Sequence, residues 1–464
     1  MIRRICVGLL LAVGLSGCAI GPDYHRPVLA VPSGYKEAAG WVRAMPAAAA
    51  AKGDWWTNFD DAELNRLEAM VAVNNATLAA DYDNYEQAQA LVAQVRGGLF
   101  PAIGVTSGVT RAGQGSGAPP HSSASFEGSA SWTPDIWGKI RRQVQEQQAA
   151  ASVSEADLAN ATLSAEASLA ADYVDLRASD AAISLFRQTV AADEQALRIT
   201  QNQGAAGVAL PSDVVTARAQ LAASQAQLIN AGAARAQYEH AIAVLTGQAP
   251  AALSIPAGPQ IALVPVAAVP VPSLLLQRRP DIAAAERAMA QANAAVGVAV
   301  GAFYPDISLS ALGGYAADPV GGLFSVSNSL WSLGANLTGT VFEGGTRRAT
   351  VRAAEYAYDA SVQSYRQTVL TAFQGVEDDL SSLRIYGQEA PVQAQAVADA
   401  RQVLRIALNQ YQAGTVNYTS VVSAQLVLLG DQENALSLTQ NRLLASIALY
   451  QDVGGGFVAG VPRG

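Results

Sequence analysis

Few residues of this chain have the type and spacing that chemistry requires. Its three histidines could bind a metal, but His25, His121 and His240 stand in different segments with no ligand spacing between them. Asp378 and Asp379 could form an acid–base pair, yet neighbouring side chains on a helix point apart, and a solvated face is the simpler interpretation. We therefore predict no metal site, no cofactor and no enzyme.

Sites for phosphate or other anions find equally little support. The glycine-rich stretch 113–117 has no following lysine and precedes a strand pattern, unlike a phosphate-binding loop. Arg278-Arg279 is followed by Pro280-Asp281, which is typical of a helix start. With 38 acidic against 29 basic residues and a net charge of −9, the chain is not expected to bind nucleic acid.

One cysteine, Cys18, stands in a sequence context that is typical of covalent modification. Arg3-Arg4 precede a short apolar core, which ends in Leu15-Ser16-Gly17-Cys18, as in a bacterial lipoprotein signal. The core is too short to span a bilayer permanently. We predict that residues 1–17 are a lipoprotein signal peptide and that Cys18 is acylated, with Ala19 favouring the outer membrane. A plain secretory signal with a chance cysteine is the alternative.

The elements behind this signal occur twice, at an offset of about 207 residues. The offset is slightly smaller upstream, where Arg141-Arg142 pair with Arg347-Arg348. A repeat this long indicates a duplicated structural unit and not a short-period solenoid. Further pairs at the main offset are Arg198 with Arg405, Asn202 with Asn409, Gly207 with Gly414, Leu221 with Leu428 and Gly247 with Gly454.

The repeat and the proline distribution divide the chain. The segment between the halves is apolar, but its prolines exclude a continuous helix, and we interpret it as an extended linker packed around the helices. The predicted segments are a signal peptide 1–17, a lipid-anchored leader 18–53, a first repeat 54–248 with hairpin 102–134, a linker 249–272, a second repeat 273–454 with hairpin 305–342, and a tail 455–464.

Each repeat contains two strand patterns between helical ones. In 126–133, Phe126 and Trp132 share one face with Gly and Ala, while Glu, Ser and Thr occupy the other. The lengths, about ten residues, suit tilted membrane strands. A half-exposed soluble sheet is the alternative for any single strand. Four such strands in one lipoprotein, with aromatic residues near the strand ends, favour a membrane barrel.

Helical patterns occupy most of the remaining chain. We predict helices over about 61–97, 138–202, 211–246, 345–411 and 418–451, with a kink near Gly387–Pro391. The helix over 138–202 would reach on the order of 100 Å. Its many alanines allow close helix packing in an extended wall. Gly207 and Gly414 end the two long helices.

This order of elements resembles the outer membrane factors, the TolC-like channels of tripartite efflux systems, and within them the NodT-type lipoprotein branch. The resemblance covers essentially the whole mature chain. The stretches that carry it are Gly21-Pro22-Asp23-Tyr24 with Arg26-Pro27, Asp54-Trp55-Trp56, Arg278-Arg279-Pro280-Asp281-Ile282, Ala302-Phe303-Tyr304-Pro305, Phe342 with Gly344-Gly345, and Ala413-Gly414 with Tyr418 and Gln425.

The resemblance and the strand count together imply an oligomer. Four strands cannot close a barrel, and open edges are not tolerated in lipid. We expect an α+β membrane protein built from a duplicated helix–β-hairpin–helix unit. The resemblance implies a homotrimer whose 12-stranded barrel in the outer membrane lipid continues into a periplasmic α-helical barrel.

The implied function is a passive exit duct for small molecules, which an adaptor protein couples to an inner membrane transporter. The duct of a type I protein secretion system is one alternative. A structural coiled-coil lipoprotein of the envelope is another, but it has no use for four amphipathic strands. The sequence specifies neither the cargo nor the pump family.

The helical turns at the end of each long helix are the predicted adaptor-docking tips. They contain Gly204, Gly207 and Val208 in the first repeat and Gly414, Thr415 and Val416 in the second. The glycines could equally be simple helix caps.

A periplasmic gate is expected one turn beyond the second tip. Helical spacing places Thr419 and Ser423 on one face there. Similar channels carry a leucine and an aspartate that constrict the resting pore at these positions. This chain departs from the pattern at both, which predicts a weaker closed state.

We expect the mature protein to begin at Cys18 and to carry acyl groups on it. Mass spectrometry of the purified protein should find an N-terminal peptide with the added mass of the lipid. An unmodified N-terminus at another residue would contradict this prediction.

Overall fold

The computed structural model of the chain describes residues 19–29, 31–37, 54–113, 119–265 and 278–455. The predicted signal peptide, Cys18, part of the leader, residues 266–277 and most of the tail lie outside the described residues. In chain order the elements are α1 Ala62–Asn74, α2 Ala76–Gly97, β1 Ala102–Ala112, β2 His121–Trp132, α3 Lys139–Ala205, α4 Pro211–Leu245, α5 Pro280–Gly301, β3 Asp306–Ala317, β4 Ser329–Thr338, α6 Thr346–Gln412 and α7 Tyr418–Asp452.

The two halves of the chain contain the same series of elements with matching lengths. Helices α3 and α6 each have 67 residues, and the returning helices α4 and α7 each have 35. Their bounds agree within three residues with the helices predicted from the sequence. Helix α6 continues through Pro391 without interruption.

The helix predicted over 61–97 is wrong in one respect, because the structure has two helices there. Asn75 is extended between α1 and α2, and its Oδ1 accepts the backbone N–H groups of Thr77 at 2.9 Å and Leu78 at 3.2 Å. Its Nδ2 donates to the carbonyl oxygen of Leu245 at 3.0 Å. The side chain thus caps α2, and capping by asparagine favours a new helix start over continuation.

The described residues form two compact units. A strand unit comprises the described parts of Met1–Leu29, Asp83–Glu155 and Ala284–Gln367. A core unit comprises the described parts of Ala30–Tyr82, Ala156–Ala283 and Thr368–Gly464.

The strand unit contains one antiparallel sheet with the order β1-β2-β3-β4. Its register pairs Ile103 with Ala130, Ala130 with Ala311, and Ala311 with Leu333. Directly paired residues share a face, so the apolar side predicted for β2 continues across all four strands. The other face carries mainly serine, threonine and glycine. Strands β1 and β4 form the two edges of the sheet.

The core unit is built around the turn that precedes α1. Trp55 and Phe59 are buried in a one-turn 3-10 helix, and the Trp55 ring stacks on Tyr450 with a centroid distance of 5.4 Å. Leucines and isoleucines of several helices complete the cluster, and each fully buried side chain contributes about 1.5–3 kcal/mol. The aromatic turn is therefore part of the buried core.

The described part of the linker packs on the first repeat through a buried ion cluster. Asp180 accepts from Arg177 at 3.1 Å and from Arg235 at 2.6 Å. The same two guanidinium groups donate to linker carbonyls, Arg177 to Pro256 at 2.7 Å and Arg235 to Ile255 at 2.6 Å. Buried charges are tolerated when they are paired and hydrogen-bonded in this way.

The linker also bonds to the second repeat. Gln260 Nε2 donates to the carbonyl oxygen of Leu436 at 3.1 Å, and Ser446 Oγ donates to that of Pro265 at 2.7 Å. Its described residues therefore lie against helices of both repeats, as the sequence predicts.

Within the described ranges, no helix combines the length with the apolarity that crossing a membrane would require.

One buried carboxyl group in the core unit has no hydrogen-bond partner among the described residues. Glu68 on α1 is 1% exposed, and both of its oxygens are unpaired. Burial, aided by the charge of Glu166, raises the pKa of Glu68 to about 9. The group is therefore protonated in the folded protein at neutral pH.

This burial predicts a pH dependence of stability. The unfolded chain releases the Glu68 proton near pH 4.5, whereas the folded protein keeps it to about pH 9. Stability should therefore fall as pH rises between these values. Glu68→Gln should reduce the decline in melting temperature between pH 5 and pH 9. Glu63→Gln is the control, because Arg66 lowers the pKa of Glu63 and moves its effect below this window. An unchanged slope in Glu68→Gln would contradict the prediction.

Candidate functional site

The two predicted tips are built from the same backbone motif. Gly207 and Gly414 have positive φ angles of 74° and 71°. The N–H of Val208 donates to Gln203 at 2.8 Å, and the N–H of Thr415 donates to Gln410 at 2.9 Å. The N–H of Gly207 also donates to Gly204 and that of Gly414 to Tyr411, both at 3.0 Å, and the two pairs of bonds form Schellman caps. In each repeat the long helix thus ends at a residue in the left-handed conformation, which glycine adopts without strain.

The predicted tip residues differ in what they contact. A Cβ added to Gly207 or Gly414 would meet nothing within 4 Å, and Val208 is 74% exposed. A Cβ on Gly204 would lie 3.3 Å from the Val214 side chain, so this glycine allows α3 and α4 to approach. Thr415 is exposed and Val416 partly buried. The docking role itself stays a prediction for all six positions.

The returning helices begin differently after the two turns. Helix α4 starts with Pro211 and has no side-chain cap, whereas Asn417 caps α7 by accepting the Ser420 N–H at 3.2 Å. Proline suits the first helical position because the N–H group that it lacks would have no intrahelical acceptor there. Pro211 and the Asn417 cap each restrict the backbone where the turn passes into the returning helix.

A buried layer beneath the tips joins the two repeats. Ala217 and Ala424, which the repeat pairs, pack with Ala407, Val421 and Tyr418 in one cluster. The Tyr418 ring lies 5.4 Å from that of Tyr411. This cluster supports both turns from below.

A polar contact in the same region was not predicted from the sequence. Ser224 Oγ on α4 donates to Asp193 Oδ2 on α3 at 2.5 Å, and both side chains are buried. Burial raises the pKa of Asp193. The repeat gives no signal for this pair, since the corresponding residues are Ala400 and Asp431. Only the helix-to-helix register brings the two groups together.

The predicted gate residues both lie on an exposed face of α7. Ser423 lines an open groove with a volume of about 570 Å³, whose other wall is formed by α6. Val403, Ile406 and Ala407 provide most of that wall. Thr419 is not among the residues that line this groove. Thr419 and Ser423 are thus both exposed but only Ser423 lines the groove, and the role of the two residues in a gate stays a prediction.

The chain matches the family described as outer membrane efflux protein over residues 69–248 and 271–455. The chain belongs to the outer membrane efflux protein family. The two matched ranges correspond to the two structural repeats, so the whole helix–hairpin–helix arrangement is part of what the family shares.

Full-length relatives agree with this assignment. The toluene efflux pump outer membrane protein TtgF of Pseudomonas putida is 28% identical over 97% of this chain and 96% of its own length. Outer membrane protein OprJ of Pseudomonas aeruginosa is 29% identical with the same coverage. The solved outer membrane channel OprN is similar with a TM-score of 0.86 at 27% identity, covering 94% of this chain and 99% of that one.

These comparisons confirm the family resemblance, the outer membrane location and the role in efflux that the sequence predicts. The proteins in this family are channels. Among the described residues, no group of His, Cys, Asp and Glu side chains could hold a metal ion. Cys18 lies outside the described residues, and its acylation stays a prediction.

The groove position of Ser423 generates a test of the gate. In a planar bilayer, Ser423→Phe should lower single-channel conductance about twofold or more, because a bulky ring in place of a hydroxyl would narrow a pore that Ser423 lines. Ser423→Asp should raise preference for cations. Ser437→Phe, four turns along the same helix, is the control and should leave conductance near that of the parent. If both Ser423 variants conduct as the parent does, Ser423 does not line the constriction.

Proposed function

We propose that three copies of this chain form one outer membrane duct. Their strands close a 12-stranded barrel, and their long helices continue as an α-helical barrel in the periplasm. The observation that supports this most directly is the four-stranded sheet with an apolar face and two open edges, β1 and β4. Unpaired backbone groups cost several kcal/mol each in lipid, and membrane barrels begin at about eight strands.

The duct is passive and serves a pump in the inner membrane. TtgF is named as part of a toluene efflux pump, and this chain matches it over nearly its full length. By extension, we assign to this chain the same kind of partnership, with a periplasmic adaptor between channel and transporter. The cargo class is small molecules, which the transporter selects.

The adaptor docks at the two tips. Both turns expose small or uncharged residues, and the left-handed glycines keep the backbone free of side chains where a partner helix must approach closely. Rigid turns also favour binding, because little conformational entropy is lost on docking.

Two other functions are less well supported. A duct for secreted proteins would use the same architecture, but the named full-length relatives are efflux proteins. A bracing lipoprotein of the envelope would not require the continuous apolar face of the sheet. Acylation of Cys18 adds a second attachment to the membrane in any of these cases.

The oligomer is tested by native mass spectrometry of the detergent-solubilised protein. We expect a particle with the mass of three mature chains. A particle of one chain mass that keeps its β-sheet signal in circular dichroism would contradict the trimer, since the edges of β1 and β4 would then be open.

Adaptor docking is tested by charging the first tip. Val208→Asp should weaken co-purification with the adaptor at least tenfold (about 1.4 kcal/mol) and lower efflux in cells, because a charge would be buried at the contact. Ile229→Asp on α4, an equally exposed site away from the tip, is the matched control. Both variants should keep the trimer mass. Unchanged co-purification of Val208→Asp would show that the adaptor binds elsewhere.

A further inference from the structure

The segment that follows Cys18 is fastened along the strand unit by a series of polar contacts. The N–H of Ile20 donates to the carbonyl oxygen of Trp137 at 3.2 Å. Further along, Asn293 Nδ2 donates to the carbonyl oxygen of Pro22 at 3.0 Å, and Tyr24 OH donates to Glu286 Oε1 at 2.6 Å. We call residues 19–26 the strap.

Arg142 is the centre of this fastening. Its side chain is 4% exposed, and its guanidinium donates to the carbonyl oxygens of Ala19, Ile20 and Gly21 at 3.0 to 3.2 Å. It also donates to Asp23 Oδ1 at 3.0 Å. A buried guanidinium requires acceptors on most of its donors, and here the strap supplies four of them.

The strap lies so close to the helices that only glycine fits at two positions. A Cβ on Gly138 would lie 2.6 Å from the Cα of Ala19, and a Cβ on Gly21 would lie 2.5 Å from the Cα of Gly297. Both contacts are tighter than side chains tolerate. Shape and hydrogen bonding therefore specify the same register for the strap.

The strap begins at one particular end of the sheet. Trp137, whose carbonyl binds Ile20, follows the end of β2 at Trp132, and its Nε1 donates to the carbonyl oxygen of Pro305 at 2.8 Å. Pro305 directly precedes β3. Ala19, the residue bonded to Cys18, is thus held beside these strand ends, at the opposite end of the sheet from Ala112 and His121.

The second repeat provides an internal comparison. Arg348 corresponds to Arg142, and Gly344 to Gly138, with positive φ angles at both glycines. Yet a Cβ on Gly344 would meet nothing within 4 Å, and Arg348 is exposed without a hydrogen bond to any described residue. The helix start therefore does not need a buried arginine. The burial of Arg142 belongs to the strap.

We propose that Arg142 is a positioning residue that fixes the point at which the N-terminal lipid anchor joins the protein, and that this fixed point couples the anchor to assembly of the strands in the membrane. The inference rests on the acylation of Cys18 put forward above. Released as far as Tyr24, five extended residues would give the anchor roughly 17 Å of play. Held by Arg142, the acyl chains enter lipid directly beside the strands.

The test is a double-mutant cycle between anchor and clamp. One partner change replaces residues 1–18 with an ordinary cleavable signal, so that the mature chain begins at Ala19 without lipid. The other is Arg142→Ala. The readout is the rate at which newly made protein becomes outer membrane trimer in a pulse–chase experiment.

In the acylated protein, Arg142→Ala should slow assembly about as much as loss of the lipid does. In the protein without lipid it should cause no further change, since coupled residues are not additive. Arg348→Ala is the matched control and should have no effect in either form. Equal slowing by Arg142→Ala with and without lipid would overturn the proposal.

Hydrogen exchange keeps the proposal testable if Arg142→Ala assembles poorly. In purified acylated protein, Arg142→Lys should raise exchange of the Ile20 amide about tenfold, because one ammonium cannot reach four acceptors. Tyr24→Phe removes only the bond to Glu286 and should give a smaller increase. Unchanged exchange in Arg142→Lys would overturn the clamp.

Mass spectrometry of the parent protein distinguishes a failure of the proposed anchor from a failure of the Arg142 clamp. An unacylated N-terminus would overturn both the proposed anchor and this inference. An acylated N-terminus with additive effects in the cycle would overturn this inference alone.

Discussion

Backbone N–H and C=O groups that lipid surrounds must bind one another, and a four-stranded sheet leaves two rows of them unpaired. The edges of this sheet are β1 and β4, and its apolar face extends across every strand between them. Among the described strands, β1 and β4 could supply each other's partners only by closing a barrel of four strands, whereas membrane barrels begin at about eight. In the proposed duct, further copies of the chain supply the missing partners of β1 and β4.

Duplication meets this requirement with few devices. The long helices have equal lengths in the two repeats, and glycines at positions 207 and 414 end them with the same pair of bonds. Gly247 and Gly454 end the returning helices in the same way, with positive φ angles of 68° and 91°. Because the lengths and the caps are equal, corresponding residues of the two repeats lie at the same distance along their helices from the turns.

How much of this the sequence could predict depended on the range of the interaction. Strand alternation, the long helices and the Gly207 and Gly414 caps are local patterns, and the structure has them where they were predicted. The break at Asn75 was missed, because apolar periodicity continues across it while a capping side chain decides the outcome. Asp193 with Ser224 was missed because the partners are 31 residues apart and meet only through helix packing.

Arg142 illustrates the same limit within a motif that was recognised. The repeat pairs it with Arg348, and nothing local distinguishes the two. Only the tertiary path of the strap leaves one arginine buried and the other exposed.

The described linker, finally, bears on how such a chain could evolve. Its carbonyls bind Arg177 and Arg235 of the first repeat, while Gln260 and Ser446 connect it to the second. An ancestor with a single repeat per subunit would have had no such segment. Because its carbonyls are acceptors for buried arginines, loss of the linker would remove one hydrogen bond from each of Arg177 and Arg235. The linker contacts therefore favour keeping the two repeats in one chain.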